Sequence, residues 1–317
     1  MSEFTFDIDP IETTWLVENL IPMGHLGVVL AQAGVGKSLL VESLAVHMAY
    51  GVPFCGFKTE AGDVLIIDQD TPDNVLSKRL LQFSQGLGER KHKLFLESMQ
   101  GYSLDNGTLT TIINDYPTVN LVIIDSLHSV CGRLNPNYTS DMSRLAQVKS
   151  KCLNGHKTIL LNHHISQKAT LTIDNLMLDM TGNLAMGNSA IIQQADTYYI
   201  VGATAEEGRT NRLYVRPVSK RVSIALKPLV LRVVNTSAGG ENIEYEGYYE
   251  PDLSGVELDI ITLFREQQLE RTAKEVFEGM GHKHGENIVR KALNTLEGKG
   301  LLFMSRHKAN LFKYRQP

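Results

Sequence analysis

The chain has 317 residues, 43% hydrophobic and 21% charged, with a net charge of −4, a composition that fits one large or two unequal globular domains and excludes collagen-like, rod-like and wholly disordered chains. No run of about 18 apolar residues occurs and the acidic first ten residues lack an apolar signal core, so no membrane partner is expected. Three scattered cysteines, Cys55, Cys131 and Cys152, lack metal-ligand spacing and point to a reduced, cytoplasmic compartment.

In chain order, Leu26 to Leu30 is a short apolar run followed by a glycine-containing loop. Ser38 to Tyr50 carries an apolar stripe of helical period that Gly51 ends, with Pro53 just beyond. Val64 to Ile67 predicts a buried strand ending in Asp68, and Asn74 to Gln85 an amphipathic helix with Val75, Leu76, Leu80 and Leu81 at helical spacing. Leu121 to Ile124 predicts the next strand, Met142 to Leu153 a helix and Thr158 to Leu161 a further strand. Continuous apolar strands alternating with helices predict an α/β fold whose mainly parallel sheet is flanked by helices. Ser166 to Gly187 is a long segment of mixed polarity, a length that marks a functional or disordered loop. Thr197 to Val201, Arg212 to Val218, Leu229 to Val234 and Ile243 to Tyr249 follow closely, with turn residues between, and predict antiparallel strands extending the sheet.

Pro251 to Gly255 reads as a linker and divides the chain into domains 1–250 and 251–317. Beyond it, Val256 to Gln268, Thr272 to Glu278 and Gly285 to Lys299 predict helices, and Leu301 to Met304 with Asn310 to Tyr314 a hairpin. Three helices and a wing make a small C-terminal winged-helix domain. From Val256 onward there are 11 basic and 8 acidic residues, a net of +3, against −7 for the rest. A basic module on an acidic body hints at a polyanion contact.

The strongest chemical signal is Ala31-Gln32-Ala33-Gly34-Val35-Gly36-Lys37-Ser38, which follows a strand and opens a helix as a P-loop must. Gly34 and Gly36 let backbone N–H groups turn inward around a phosphate chain, and the helix N-terminus adds positive charge. Ala33 through Leu39 are therefore the nucleotide-binding candidates, with Lys37 reaching the β- and γ-phosphates of ATP and Ser38 holding Mg²⁺. Ala31 stands where the strict pattern has its first glycine. Leu121-Val122-Ile123-Ile124-Asp125 is an apolar strand ending in a carboxylate, the arrangement that holds the metal's water shell, which makes Asp125 the second metal candidate. Val64 to Asp70 ends in Asp68-Gln69-Asp70, where a carboxylate can activate the attacking water; Asp70 is preferred as the base, the alternative being that Asp68 or Asp70 caps the helix near Asp73.

These blocks, with Trp15 to Gly24, Gly51-Val52-Pro53-Phe54, Gly62-Asp63-Val64-Leu65 and Asp68 to Leu80, resemble RepA-like ATPases in order and spacing from about Trp15 to Arg221. That family sits in the RecA-like P-loop group with DnaB-type helicases and KaiC-like proteins. The resemblance implies a RecA-like ATPase domain and a catalytic glutamate followed nine residues on by an arginine. Asp70, nine residues before Arg79, matches that place, with a carboxylate one methylene shorter that leaves slow hydrolysis or binding without turnover open beside full activity. It also implies a γ-phosphate sensor at the strand end Leu161-Asn162-His163-His164, where His164 and His163 are the candidates and Lys168 follows, and a helix near Gly187-Asn188-Ser189-Ala190. Lys220 and Arg221 match the cationic pair that reaches a neighbouring subunit's γ-phosphate, so a homo-oligomeric ring, a hexamer, with nucleotide between subunits is implied.

A winged helix would present its third helix to a DNA groove. Lys283, Arg290 and Lys291 on or beside that helix, and Arg306 and Lys308 at the wing tip, are the DNA-binding candidates. The expected function is an ATP- and Mg²⁺-dependent ATPase acting on DNA in replication of a plasmid, phage or mobile element, with helicase action as a further step. The alternatives are a KaiC-like regulatory ATPase with a protein partner and a nucleotide-gated DNA-binding protein with little turnover.

Overall fold

The structure is a computed structural model that describes residues 13–136, 138–155, 157–165, 173–178, 189–206, 209–220, 226–237, 239–250, 253–267, 270–298, 301–308 and 311–315. In chain order the elements are β1 (Trp15–Val17), β2 (Ile21–Pro22), β3 (Leu26–Ala31), α1 (Lys37–Tyr50), β4 (Val64–Asp68), α2 (Asp73–Ser84), β5 (Leu94–Ser98) and α3 (Thr108–Asp115). Next come β6 (Leu121–Asp125), α4 (Leu127–Val130), α5 (Thr139–Met142), α6 (Leu145–Gly155), β7 (Thr158–His164), α7 (Ile173–Leu178), α8 (Ser189–Gln194), β8 (Thr197–Glu206), β9 (Arg209–Ser219), β10 (Leu229–Asn235) and β11 (Glu241–Tyr248). The chain continues through α9 (Gly255–Gln267), β12 (Arg271–Thr272), α10 (Ala273–Gly279), α11 (Glu286–Gly298), β13 (Phe303–Lys308) and β14 (Leu311–Arg315). It divides into two compact units: Met1–Lys168 with Ala185–Tyr248, and Ala169–Leu184 with Tyr249–Pro317.

The first unit is built on a sheet of order β11-β10-β9-β8-β3-β7-β6-β4-β5. The pairs from β8 through β3, β7, β6 and β4 to β5 are parallel, and those from β8 to β11 antiparallel. The mainly parallel, helix-flanked α/β sheet is thus the fold expected. Strands such as β4 and β6 are buried along their whole length, which is why they read as unbroken apolar runs rather than alternating ones. α1 is buried from Leu40 to Ala49, since α2 and β11 cover it beside the sheet. Leu40, Val41 and Leu44 join Val29, Ile66, Ile123 and Leu160 in the core. Fully burying each such aliphatic side chain contributes roughly 1.5–3 kcal/mol, and this anchors the N-terminal end of α1 over the C-terminal ends of β3, β6 and β4. Gly51 ends α1 as expected, in a left-handed conformation (φ 64°) with its N–H bonded to the carbonyls of His47 and Met48.

Three differences from the sequence reading have local causes. The helix expected over Met142–Leu153 is broken into α5 and α6. The Ser143 hydroxyl donates to the Ser140 carbonyl (2.6 Å), and Ala146 and Gln147 bond back three residues rather than four. The strand at Thr197, expected among antiparallel neighbours, is antiparallel only to β9; it pairs parallel to β3, because α8 carries the chain across before β8 starts. Finally, β5 and α3 fill the stretch between α2 and β6, which the hydrophobic pattern left unassigned. Of the long segment Ser166–Gly187, only α7 lies within the described residues.

In the second unit, α9, α10 and α11 enclose a core that includes Ile260, Phe264, Val276, Val289, Leu293 and Leu296. Its sheet has the order β12-β14-β13, all antiparallel. Thr272 caps α10 reciprocally: its side chain accepts from the Glu275 N–H while the Glu275 carboxylate accepts from the Thr272 N–H. Among the described residues no helix is long and apolar enough to cross a membrane.

Candidate active site

The turn between β3 and α1 is shaped by two glycines in the left-handed region, Gly34 at φ 76° and Gly36 at φ 104°. A Cβ on Gly34 would meet nothing within 4 Å, so space is open beside the backbone there, whereas one on Gly36 would come within 3.1 Å of Leu213. Gly36 is also the N-cap of the 14-residue α1, with no side-chain cap and no acidic residue in the first turn. The first N–H groups of the helix and the positive end of its dipole therefore remain available to an anion.

Lys37 is buried, and its ammonium donates to the carbonyls of Ala31 (3.3 Å) and Gln32 (3.2 Å) and to Nδ1 of His164 (3.1 Å). Accepting at Nδ1 leaves the His164 proton on Nε2, and the pKa of His164 is lowered by burial and by Lys37. Burial lowers the Lys37 pKa too, opposed by the charge of Asp125. His163, on the other side of the strand, is buried with Nδ1 unpartnered, and burial pushes its pKa down to about 4. Of the two adjacent histidines, His164 is the one that faces the P-loop.

Ser38 Oγ donates to Asp125 Oδ2 at 2.6 Å. The parallel register sets Asp68 level with Asp125 on the neighbouring strand. Asp68 is buried and shapes the turn after β4: its Oδ1 accepts the N–H groups of Asp70 and Thr71, both at 2.8 Å. Neither aspartate caps α2, whose N-cap is Pro72 without a side-chain bond. Asp70 instead emerges from the turn, and its carboxylate accepts from the hydroxyls of Ser126 (3.0 Å) and Ser129 (2.6 Å to each oxygen).

Sequence reasoning passed over Glu42. It lies four residues beyond Ser38, so the helical repeat sets both on one face of α1. It is buried, its Oε1 accepts from Arg79 (2.5 Å), and its Oε2 has no partner. Burial raises its pKa to about 8 against the pull of Arg79, with the charges of Asp125 and Asp68 adding to the rise. Arg79 in turn approaches Thr71 (3.5 Å) and Asp68 (3.9 Å). A cleft of about 390 Å³ is lined by Gly34, Gly36, Lys37, Ser38, Leu39, Glu42, Asp70, Thr71, Arg79, Asp125 and His164. The Ser38 hydroxyl and the Asp125 carboxylate, 2.6 Å apart, are hard oxygen donors of the kind a divalent cation with a retained water shell takes.

Other candidates lie elsewhere. Ala33 and Val35 flank the glycines of the loop. The Lys220 ammonium bonds the Ile192 carbonyl and its N–H the Asp196 carbonyl, and Lys220 does not line this cleft. Arg221, Lys168, Gly187 and Asn188 lie outside the described residues. Trp15 lines a separate cleft with Glu18, Lys58 and Glu60, not the one at the P-loop. In the second unit, Lys283 pairs with Asp259 (2.8 Å), Arg290 pairs with Glu286 (2.7 Å) and Lys291 is exposed; Arg306 and Lys308 lie on β13.

A KaiC-like protein from Pyrococcus horikoshii OT3 is 14% identical over 74% of this chain and 99% of its own, with a TM-score of 0.48. The flagellar accessory protein FlaH from Methanocaldococcus jannaschii is 16% identical over 71% of this chain and 91% of its own, with a TM-score of 0.46. No curated protein matches. The sequence profile of the AAA domain family matches residues 5–170, the segment that holds the P-loop, Asp70, Asp125 and His164. With that match and a P-loop built as described, the chain belongs to the AAA domain family and is a P-loop nucleoside triphosphatase of ATPase type.

Proposed function

We propose that the chain is an Mg²⁺-dependent ATPase of RepA-like, RecA-like type that acts on DNA in replication of a plasmid, phage or mobile element. The observation that carries the ATPase reading is the convergence of Lys37, Ser38, Asp70, Asp125 and His164 on one cleft at the N-terminus of α1. The N–H groups of Ala33 to Leu39 and the Lys37 ammonium bind the phosphates. The Ser38 hydroxyl, with Asp125 behind it, is suited to hold Mg²⁺. A Mg²⁺ held there would supply positive charge against the phosphate oxygens. Asp70 accepts the proton of a water that attacks the γ-phosphorus as the bond to the β–γ bridging oxygen breaks and ADP leaves with that oxygen. His164, bonded to Lys37, responds to the γ-phosphate through that ammonium.

Lys220 and Arg221 serve a neighbouring subunit's site, which makes the working form a ring of copies. The second unit, with three helices and a β-hairpin, is read as a winged helix that contacts DNA through Lys283, Arg290, Lys291, Arg306 and Lys308. The test is steady-state ATP hydrolysis with Mg²⁺, with and without single- and double-stranded DNA, beside Lys37→Ala. The expected result is turnover that rises with DNA and vanishes in the variant. Turnover indifferent to DNA would move the reading to a regulatory ATPase with a protein partner; nucleotide binding without turnover would leave a nucleotide-gated binding protein.

A further inference from the structure

We propose that Ser129 is a positioning residue that holds the Asp70 carboxylate in its working orientation; the inference rests on the reading of Asp70 as the base. Asp70 is exposed at the end of a turn, where a carboxylate one methylene shorter than glutamate would swing freely and fall short by roughly an ångström. Here two hydroxyls meet it. The Ser129 hydroxyl lies 2.6 Å from both oxygens, and the Ser126 hydroxyl lies 3.0 Å from Oδ2 and 3.0 Å from Ser129.

The platform behind Ser129 is rigid. Leu127 and Val130, the first and last residues of α4, are fully buried, and the N–H groups of Ser129 and Val130 both bond the Ser126 carbonyl. The hydroxyl is therefore presented from a fixed point rather than a loose loop, as a preorganised site requires. The contacts also divide the work of the two oxygens. The single Ser129 proton is shared between Oδ1 and Oδ2, the Ser126 hydroxyl adds a second donor to Oδ2, and Oδ1, with the fewer donors, is the oxygen left for the attacking water.

The experiment compares wild type, Asp70→Asn, Ser129→Ala, Ser129→Thr, Asp70→Glu and the Asp70→Glu/Ser129→Ala double variant in kcat, KM and affinity for a non-hydrolysable ATP analogue. Ser129→Ala is expected to lower kcat roughly 10- to 100-fold with KM and analogue affinity within about twofold. Ser129→Thr, which keeps the hydroxyl, recovers most of that loss. In the Asp70→Glu background the cost of removing the hydroxyl shrinks to below about threefold, because the longer side chain reaches without the clamp. An unchanged or raised kcat in Ser129→Ala, or an equal loss in the glutamate background, overturns the assignment while Asp70→Asn still reports on the base. Turnover retained in Asp70→Asn, or absent in wild type, overturns the reading of Asp70 and the proposal together.

Discussion

Glu42 shows what a single misplaced-looking side chain does to the rest of the molecule. A carboxylate on the buried face of a helix is costly unless it is paired or protonated, and here it is partly both. Arg79 holds one oxygen, and burial raises the group from its ordinary 4.5 to about 8. The sign of the linkage follows. Between those two values the folded chain binds a proton that the unfolded chain does not, so stability contributed at low pH is lost as pH rises toward 8. Thermal midpoints of the wild type should therefore fall from pH 5 to 8, and those of Glu42→Gln, which keeps an acceptor for Arg79, should fall less. Equal slopes for the two proteins in differential scanning calorimetry would show that Glu42 is ionised throughout. The placement of Lys37, Ser38 and Asp125 was legible in the sequence because it depends on local order: a strand, a tight turn, a helix start, a strand end. Glu42 and Ser129 were not, since each acts on a residue brought near by the sheet, Arg79 at 37 and Asp70 at 59 positions' distance.

At the scale of the element, α1 places the same backbone conformation at both of its ends for different purposes. Gly36 caps its N-terminus at φ 104° and Gly51 its C-terminus at φ 64°. Forcing a Cβ into the left-handed region costs about 1–2 kcal/mol at either position. At Gly51 the new atom would sit 3.2 Å from the Lys91 side chain, far from the phosphate cleft. Gly51→Ala is expected to lower stability by about that amount in chemical denaturation and leave nucleotide affinity alone. Gly36→Ala meets Leu213 at 3.1 Å and distorts the turn that gathers the N–H groups. Its expected signature in titration calorimetry is an affinity for ATP reduced about tenfold or more. A Gly36→Ala chain with wild-type affinity would mean the loop N–H groups do not grip the phosphates. The elements themselves were legible in proportion to their burial. β4, β6 and β7 are buried on both faces and announce themselves as apolar runs. β5 is an edge strand, half-exposed through Leu94-Phe95-Leu96-Glu97, and its three apolar residues carry too little pattern to be read. The break between α5 and α6 was hidden for another reason: it depends on which carbonyl the Ser143 hydroxyl takes, not on hydrophobic period.

For the whole molecule the decisive question is whether one chain makes a complete site. The cleft at the P-loop gathers Lys37 and Arg79 as its cations, and Lys220, the residue before Arg221, directs its ammonium to the Ile192 carbonyl. A transition state that spreads negative charge over the γ-phosphoryl oxygens needs positive charge on its open side as well. In the proposed ring that charge arrives from the next copy, and the contact is then head-to-tail, each chain giving its P-loop on one side and its Arg221 on the other. Such an arrangement predicts complementation between two inactive chains. Lys37→Ala lacks a working phosphate site but offers Arg221; Arg221→Ala offers the phosphate site but lacks the cation. In an equal mixture, random assembly pairs an intact P-loop with an intact Arg221 at about a quarter of the interfaces. ATPase activity should therefore rise from near zero in each variant alone to about a quarter of the wild-type rate, provided subunits exchange before the assay. The recovery should fade on dilution below the assembly concentration, which sedimentation of the wild type measures independently. A mixture no more active than its parts, at a concentration where the chains co-assemble, would place the whole catalytic machinery within one copy and remove the reason for a ring.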